Sequence, residues 1–262
     1  MPAQLTNVLV TVGVVAVFLA AVFAVSVRRD RHDLIDVAWG VGFALVAVTT
    51  FVLSAGHGDA PTRVLLTSLT VVWGVRLAVH IGLRNRGRPE DRRYVEIRSR
   101  ARGNPDRHLA RVVYLPQGAV MLLVSLPVQF GQYGPGAPGW LLALGGAVWL
   151  VGFTVETVGD LQLRRFAADP ANRGRVLDSG LWRYTRHPNY FGDAAVWWGL
   201  YLLACGTWPG AATLPAPVVM TFVLARGTGK PLTERHLSRS RPGYADYVRR
   251  TSGFVPLPPR RG

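Results

Sequence analysis

The chain has 262 residues, 49% of them hydrophobic, and carries 30 basic against 15 acidic side chains for a formal charge of +15. In a soluble domain that balance points to nucleic acid, but here long stretches free of Lys and Arg alternate with segments dense in Arg, which indicates a membrane protein and no nucleic-acid partner. The single cysteine, Cys205, excludes an internal disulfide, and no Cys/His cluster has zinc-ligand spacing, so no metal site is expected.

The chain opens on an apolar run from Leu5 to Val27 with no basic residue before it and Arg28, Arg29 and Arg31 behind it. A secretory signal peptide has the reverse arrangement, so this reads as a retained first helix with its basic end inside. Further spans are expected at 34–54, 64–83, 111–130, 139–160, 190–206 and 208–226, each close to the length that crosses a hydrocarbon core. Gly56–Asp59 and Gly131–Pro138 are short turns between them. The last two spans are weaker. One holds Asp193 and the other is broken by Pro209, Pro215 and Pro217, so they form either a short helix pair or a partly re-entrant segment.

Seven spans place 28 of the 30 basic residues on one side, with Arg63 opposite and Arg76 inside a span. By the positive-inside rule the N-terminus is outside and the C-terminus cytoplasmic. The expectation is therefore an all-α, polytopic membrane protein, a single domain over 1–262 with basic cytoplasmic loops at 84–110 and 161–189 and a tail at 227–262. Gly145, Gly146 and Gly152 can pack helices within one chain or between two, which leaves the oligomeric state open.

Charged side chains at membrane depth usually face a cavity or a partner. Asp33 and Asp36 open the second span, Arg76 and His80 lie four apart on the third with Trp73, and Glu156 and Asp160 lie four apart on the fifth. Asp193 sits in the first turn of the sixth. Ion pairing such as Arg76 with Asp36 accounts for one such charge; so many of them favour a polar cavity open to the cytoplasm.

The segment Arg173–Asp193, RGRVLDSGLWRYTRHPNYFGD, gathers Arg173, Arg175, Arg183, Arg186 and His187 at a helix start. Pro188 suits a first helical turn and Asn189 can cap free amides. A helix N-terminus fringed by Arg is an anion site, and Arg recognises phosphate oxygens with two parallel hydrogen bonds. Such a loop can also meet lipid headgroups, but headgroups do not require His187, Asn189, Tyr190 and Asp193 around one turn. Gly227–Lys230 (GTGK) is no phosphate loop, because Leu224 stands where the upstream glycine belongs and Pro231 follows the lysine. No strand–GxGxxG–helix unit is present either.

The stretch SGLWRYTRHPNYFGDAAVWWG resembles the C-terminal signature of the steroid 5-alpha-reductase-like superfamily. With DLIDVAWGVGF at 33–43, LRNRGRPEDRRY at 83–94, Gln117-Gly118, and RPGYADYVRRTSGFVP at 241–256, the chain looks most like the superfamily's bacterial branch of uncharacterised membrane proteins. That resemblance covers nearly the whole chain. It implies a seven-helix enzyme of a bacterial-type cytoplasmic membrane that binds NADPH on the cytoplasmic side. The reaction implied is reduction of an activated carbon–carbon double bond in a hydrophobic steroid-, sterol- or polyprenoid-like enone taken from the bilayer.

Carried over by motif, the resemblance implies cofactor contacts at Arg88, Asp160, Arg175, Asn189 and Asp193, with Glu234 and Tyr247 from the tail; Arg164, Arg186, His187 and Tyr190 are further cofactor candidates. Asp36, Arg76 and His80 are the catalytic candidates. The tyrosine that holds the enone carbonyl in steroid reductases is replaced by Gly74, and two cofactor positions read Ala167 and Gly174. Two other functions stay open. One is an S-adenosylmethionine-dependent methyltransferase of the isoprenylcysteine type, which shares an Arg-His-Pro-x-Tyr turn. The other is a non-catalytic lipid-binding protein.

Overall fold

The computed structural model describes residues 3–260 apart from 228, 232, 233, 235, 236, 239 and 240. It divides into two compact units, Met1–Leu141 with Leu203–Thr213, and Leu142–Leu202 with Leu214–Gly262. The described residues are helical apart from turns, loops and one isolated bridge, and six helical stretches are long and apolar enough to cross a membrane.

In the first unit, α1 (Ala3–Arg29), α2 (Leu34–Leu53) and α3 (Ala60–Asn85) are three such stretches. Asp59 caps α3, accepting from the Thr62 amide at 2.9 Å and its hydroxyl at 2.7 Å. α2 and α3 cross at glycine. A Cβ on Gly40 would lie 2.2 Å from the Gly74 carbonyl oxygen, and one on Gly74 2.3 Å from that of Gly40. Lipid offers no hydrophobic drive for helix association, so this backbone-to-backbone approach supplies the packing.

A fourth stretch, Pro105–Gly131, starts six residues before the expected 111 and is not one regular helix. α5 (Pro105–Leu109), capped by Asn104, passes through a π-helical turn at Ala110–Tyr114 into α6 (Leu115–Val124) and, past Ser125, α7 (Leu126–Gly131). Pro116 and Pro127 explain both interruptions, since each lacks an amide hydrogen and its ring crowds the carbonyl four residues earlier. The preceding loop folds into α4 (Arg92–Ser99), capped by Asp91.

In the second unit, α8 (Gly139–Ala168) and α9 (Pro188–Ala204) cross at glycine as well. A Cβ on Gly152 would stand 2.6 Å from the Gly192 carbonyl oxygen, so this member of the small-residue set packs helices within the chain. α9 has 17 residues and is not among the six candidate spans. The sixth candidate, Trp208–Ala225, consists of α10 (Trp208–Ala211), which belongs to the first unit, and α11 (Pro215–Ala225) of the second, parted by a turn where the proline-rich text predicted a break. Trp198 Nε1 donates to the Thr221 hydroxyl at 3.1 Å, tying α9 to α11. The tail carries α12 (Tyr244–Arg250).

Candidate functional site

The second unit builds its site where α8 ends and α9 begins. Gln162 on the last turns of α8 accepts from the Leu181 amide at 3.0 Å, and the Trp182 indole donates to the Gly159 carbonyl at 3.1 Å. These bonds seat the 3-10 turn Gly180–Arg183 against the helix. Pro188 then opens α9, as its fixed torsion predicts. Asn189 donates to Asp160 at 3.2 Å and accepts from the Tyr190 amide at 3.1 Å.

Arg186 is the hub of this turn. Its Nε donates to Glu234 at 2.8 Å, and its Nη1 donates to the carbonyls of Val248 at 3.2 Å and Thr251 at 2.5 Å. Two backbone bonds continue the seam, from the Arg186 amide to the Ser252 carbonyl at 2.9 Å and from the Leu257 amide to the Tyr184 carbonyl at 3.0 Å. Tyr247 donates to the Trp182 carbonyl at 2.6 Å. Four of the predicted cofactor residues, Arg186, His187, Glu234 and Tyr247, thus bind the tail to the RHPNY turn.

The His187 ring is buried, stacks on Tyr190 at 5.2 Å between centroids, and places Nε2 3.2 Å from Glu234. Burial lowers the pKa of His187, and the Arg186 and Lys230 charges add to that, against the opposing pull of Glu234. For Glu234, burial opposes ionisation. Hydrogen bonds from His187 and Arg186, together with the Arg186 charge, outweigh it and hold the carboxyl at about 2. Burial, with Glu234 nearby, pushes the Tyr244 phenol up to about 12.

Beside this seam lies a cavity of about 540 Å³. Arg173, Arg175, Arg186 and Arg241 line it, with Trp182, Tyr244 and Tyr247 as aromatic walls and Asp169 as the acid among its lining residues. Arg175, Arg186 and Tyr247 were expected at the site. Arg164 is exposed on α8 and is not a lining residue, whereas its neighbours Leu163 and Phe166 are. Glu156, Asp160 and Asp193 are all buried, and Gly192 lies against Glu156. Trp182, Tyr244 and Arg241 were passed over in the sequence because each reads as ordinary tail or loop text.

The first unit carries a separate polar cluster. Both carboxylate oxygens of Asp36 are held by the α4 segment, Oδ1 accepting from the Tyr94 hydroxyl at 2.6 Å and Oδ2 from Arg93 at 2.8 Å. Arg93 also donates to Asp91. Burial, reinforced by the Asp36 charge, raises the Tyr94 pKa well above its ordinary value. His32 is fully buried, with its ring nitrogens 3.1 Å from the Tyr114 hydroxyl and 3.3 Å from Asp106. Arg76 and His80 are half-buried on α3 with Trp73 buried beside them. Arg88 is exposed, after a left-handed Gly87 at φ +71°. Neither Arg93 nor Tyr94 was a candidate, although the motif PEDRRY contains both.

Residues 22–251 match the model of a family described as protein of unknown function (DUF1295). No curated protein and no solved structure matches the chain.

Proposed function

The chain belongs to the DUF1295 family of proteins of unknown function, and from that premise we propose that it is a membrane-embedded, NADPH-dependent reductase. Its substrate is a carbon–carbon double bond in a hydrophobic enone of steroid, sterol or polyprenoid type. The proposal includes kinship with the steroid 5-alpha-reductase-like superfamily. It also includes a seventh span at α9, an outside N-terminus, and a cofactor site on the cytoplasmic face of a bacterial-type membrane. The one-sided distribution of 28 of the 30 basic residues supports that orientation.

The observation that carries the reading is the arginine-lined cavity. Four guanidinium groups and the aromatic walls Phe166, Trp182, Tyr244 and Tyr247, with Asp169 as the lining acid, fit a phosphorylated adenosine. Arg173, Arg175 and Arg241 would hold its phosphates as planar forks. Trp182, Tyr244 and Tyr247 would flank the base. Asn189 and Asp160, already bonded to each other, and the buried Asp193 would hold neighbouring hydroxyl groups. When bound, NADPH supplies the hydride. Asp36, Arg76 and His80 are the proposed groups that polarise the substrate carbonyl or deliver a proton. Tyr94 and Arg93 fix the Asp36 carboxylate in place.

The test is thermal stabilisation of the purified protein by NADPH and, separately, by S-adenosylmethionine, because a ligand of the native state raises stability with the logarithm of its concentration. NADPH alone stabilises the wild type, while Arg175→Ala and Asn189→Ala each weaken that binding by about tenfold or more. Stabilisation by S-adenosylmethionine alone would replace this reading with a methyltransferase. Silence from both would leave a non-catalytic lipid-binding protein.

A further inference from the structure

We propose that the arginine-rich end of the first unit carries a site for an anionic phospholipid, with its headgroup on Arg107 and Arg111 and an acyl chain along Val112 and Leu115. The ion-pair network at this end takes up only part of the positive charge, and Arg107 and Arg111 are among the exposed arginines outside it. Arg31 pairs with Asp33, Arg93 with Asp36 and Asp91, Arg98 with Asp30 and Glu90, and Arg100 with Glu96. The side chains of Arg107 and Arg111 are exposed, and neither pairs with an acid or makes a hydrogen bond among the described residues. Cations without a counter-charge are available to an external anion, and Arg presents a fork that fits phosphate oxygens.

Position identifies that anion as a lipid headgroup. Arg107, Arg111 and Leu115 are spaced four apart through the α5–π–α6 run, so they fall along one side of the helix. The side changes from charge to hydrocarbon immediately after Arg111, where Val112 is 47% and Leu115 68% exposed. The same change from charge to hydrocarbon recurs at the inner end of neighbouring α1. Phe23 packs edge-on against Tyr114 at 5.1 Å, and α1 ends in the exposed pair Arg28 and Arg29. Arg28 and Arg29 add positive charge at the same end of the unit. A free phosphate would use the arginines but not the apolar continuation. A two-tailed anionic lipid uses both, because its phosphate lies at the boundary and its chains run down the exposed helix.

The experiment reconstitutes the full chain in phosphatidylcholine nanodiscs with and without phosphatidylglycerol and measures, by native mass spectrometry, which lipid stays bound. The wild type retains phosphatidylglycerol over phosphatidylcholine. R107Q/R111Q loses that preference by more than tenfold, since each arginine at an anionic surface is worth roughly five-fold. Its thermal midpoint in pure phosphatidylcholine is unchanged, because neither side chain has a partner to lose. Leu115→Asn weakens retention of the long-chain lipid while leaving both arginines in place, so the proposal stays testable even if the double variant folds poorly. Three results would overturn it. One is wild-type selectivity in R107Q/R111Q. Another is an equal loss in the control R84Q/R86Q. The last is displacement of phosphatidylglycerol by inorganic phosphate, which would assign the arginines to a free anion.

Discussion

Replacing Glu234 with Gln tests whether the tail is held to the RHPNY turn by charge. In the folded protein the carboxyl is held at about 2 against an ordinary 4.5, and its side chain is 22% exposed. Converted in full at about 1.36 kcal/mol per pH unit, that difference is an upper bound of roughly 3.4 kcal/mol. Solvent screening of a partly exposed pair brings it to about 2 kcal/mol. The sign follows from the direction. A depressed carboxyl stabilises the docked tail fully above pH 4.5, and the contribution is lost as pH falls from 4.5 through 2. Hydrogen exchange reads this directly at the amides of Arg186 and Leu257, which bond to the Ser252 and Tyr184 carbonyls. At pH 7 both amides exchange about 30-fold faster in Glu234→Gln than in the wild type, the factor that about 2 kcal/mol gives. After correction for intrinsic rates, the difference shrinks through the acid window and vanishes near pH 2. Equal exchange at pH 7, or a difference that persists undiminished at pH 2, would refute the electrostatic clamp.

Gly40→Ala should lower thermal stability by about 1–3 kcal/mol, because its Cβ would meet the Gly74 carbonyl oxygen at 2.2 Å and push α2 from α3. Gly13→Ala on α1, where nothing lies within 4 Å, should be neutral or slightly stabilising in the same melt. Tyr94→Phe removes the hydroxyl that donates to Asp36 and should cost about 1.5–3 kcal/mol locally. It is checked by hydrogen exchange, which should accelerate in α4 while α8 and α9 keep their protection.

The spans were legible because length and hydropathy act over about 20 residues at a time, and local detail averages out. That is why α1, α2 and α3 fall close to their expected limits. The limits that moved did so for local reasons. Pro105–Gly131 starts early because Asn104 caps a polar first turn, PDRHL, that no apolar window includes. Proline marked the break in Trp208–Ala225, whereas Pro116 and Pro127 sit inside an apolar run that reads as one continuous span over 111–130. The glycine crossings were half-visible. Gly152 stood out in a cluster of small residues, whereas Gly40 and Gly74 are isolated and pair only once two helices are laid side by side.

The candidate site divides along the same line. Arg186, His187 and Asn189 announce themselves because they crowd one turn, and a dense motif survives without any knowledge of its neighbours. Their partners do not. Nothing in the text near Arg241 or Tyr244 says that those residues close a cavity begun by Arg173 and Arg175, some 70 positions earlier. Tyr94 shows the same limit more sharply. As a residue in PEDRRY it is one more loop tyrosine, but 2.6 Å from Asp36 it is what fixes the leading catalytic candidate. Sequence spacing reports which groups share a helix face, and Asp36 with Tyr94 share none. Their meeting depends on the fold of an arginine-rich loop, whose charges pair across 57 positions to Asp36 and 68 to Asp30. Those arginines had been counted only as a sign of membrane orientation. Part of that charge is spent on fastening the loop to the α1–α2 corner, and only the remainder, Arg107 and Arg111 among it, faces outward.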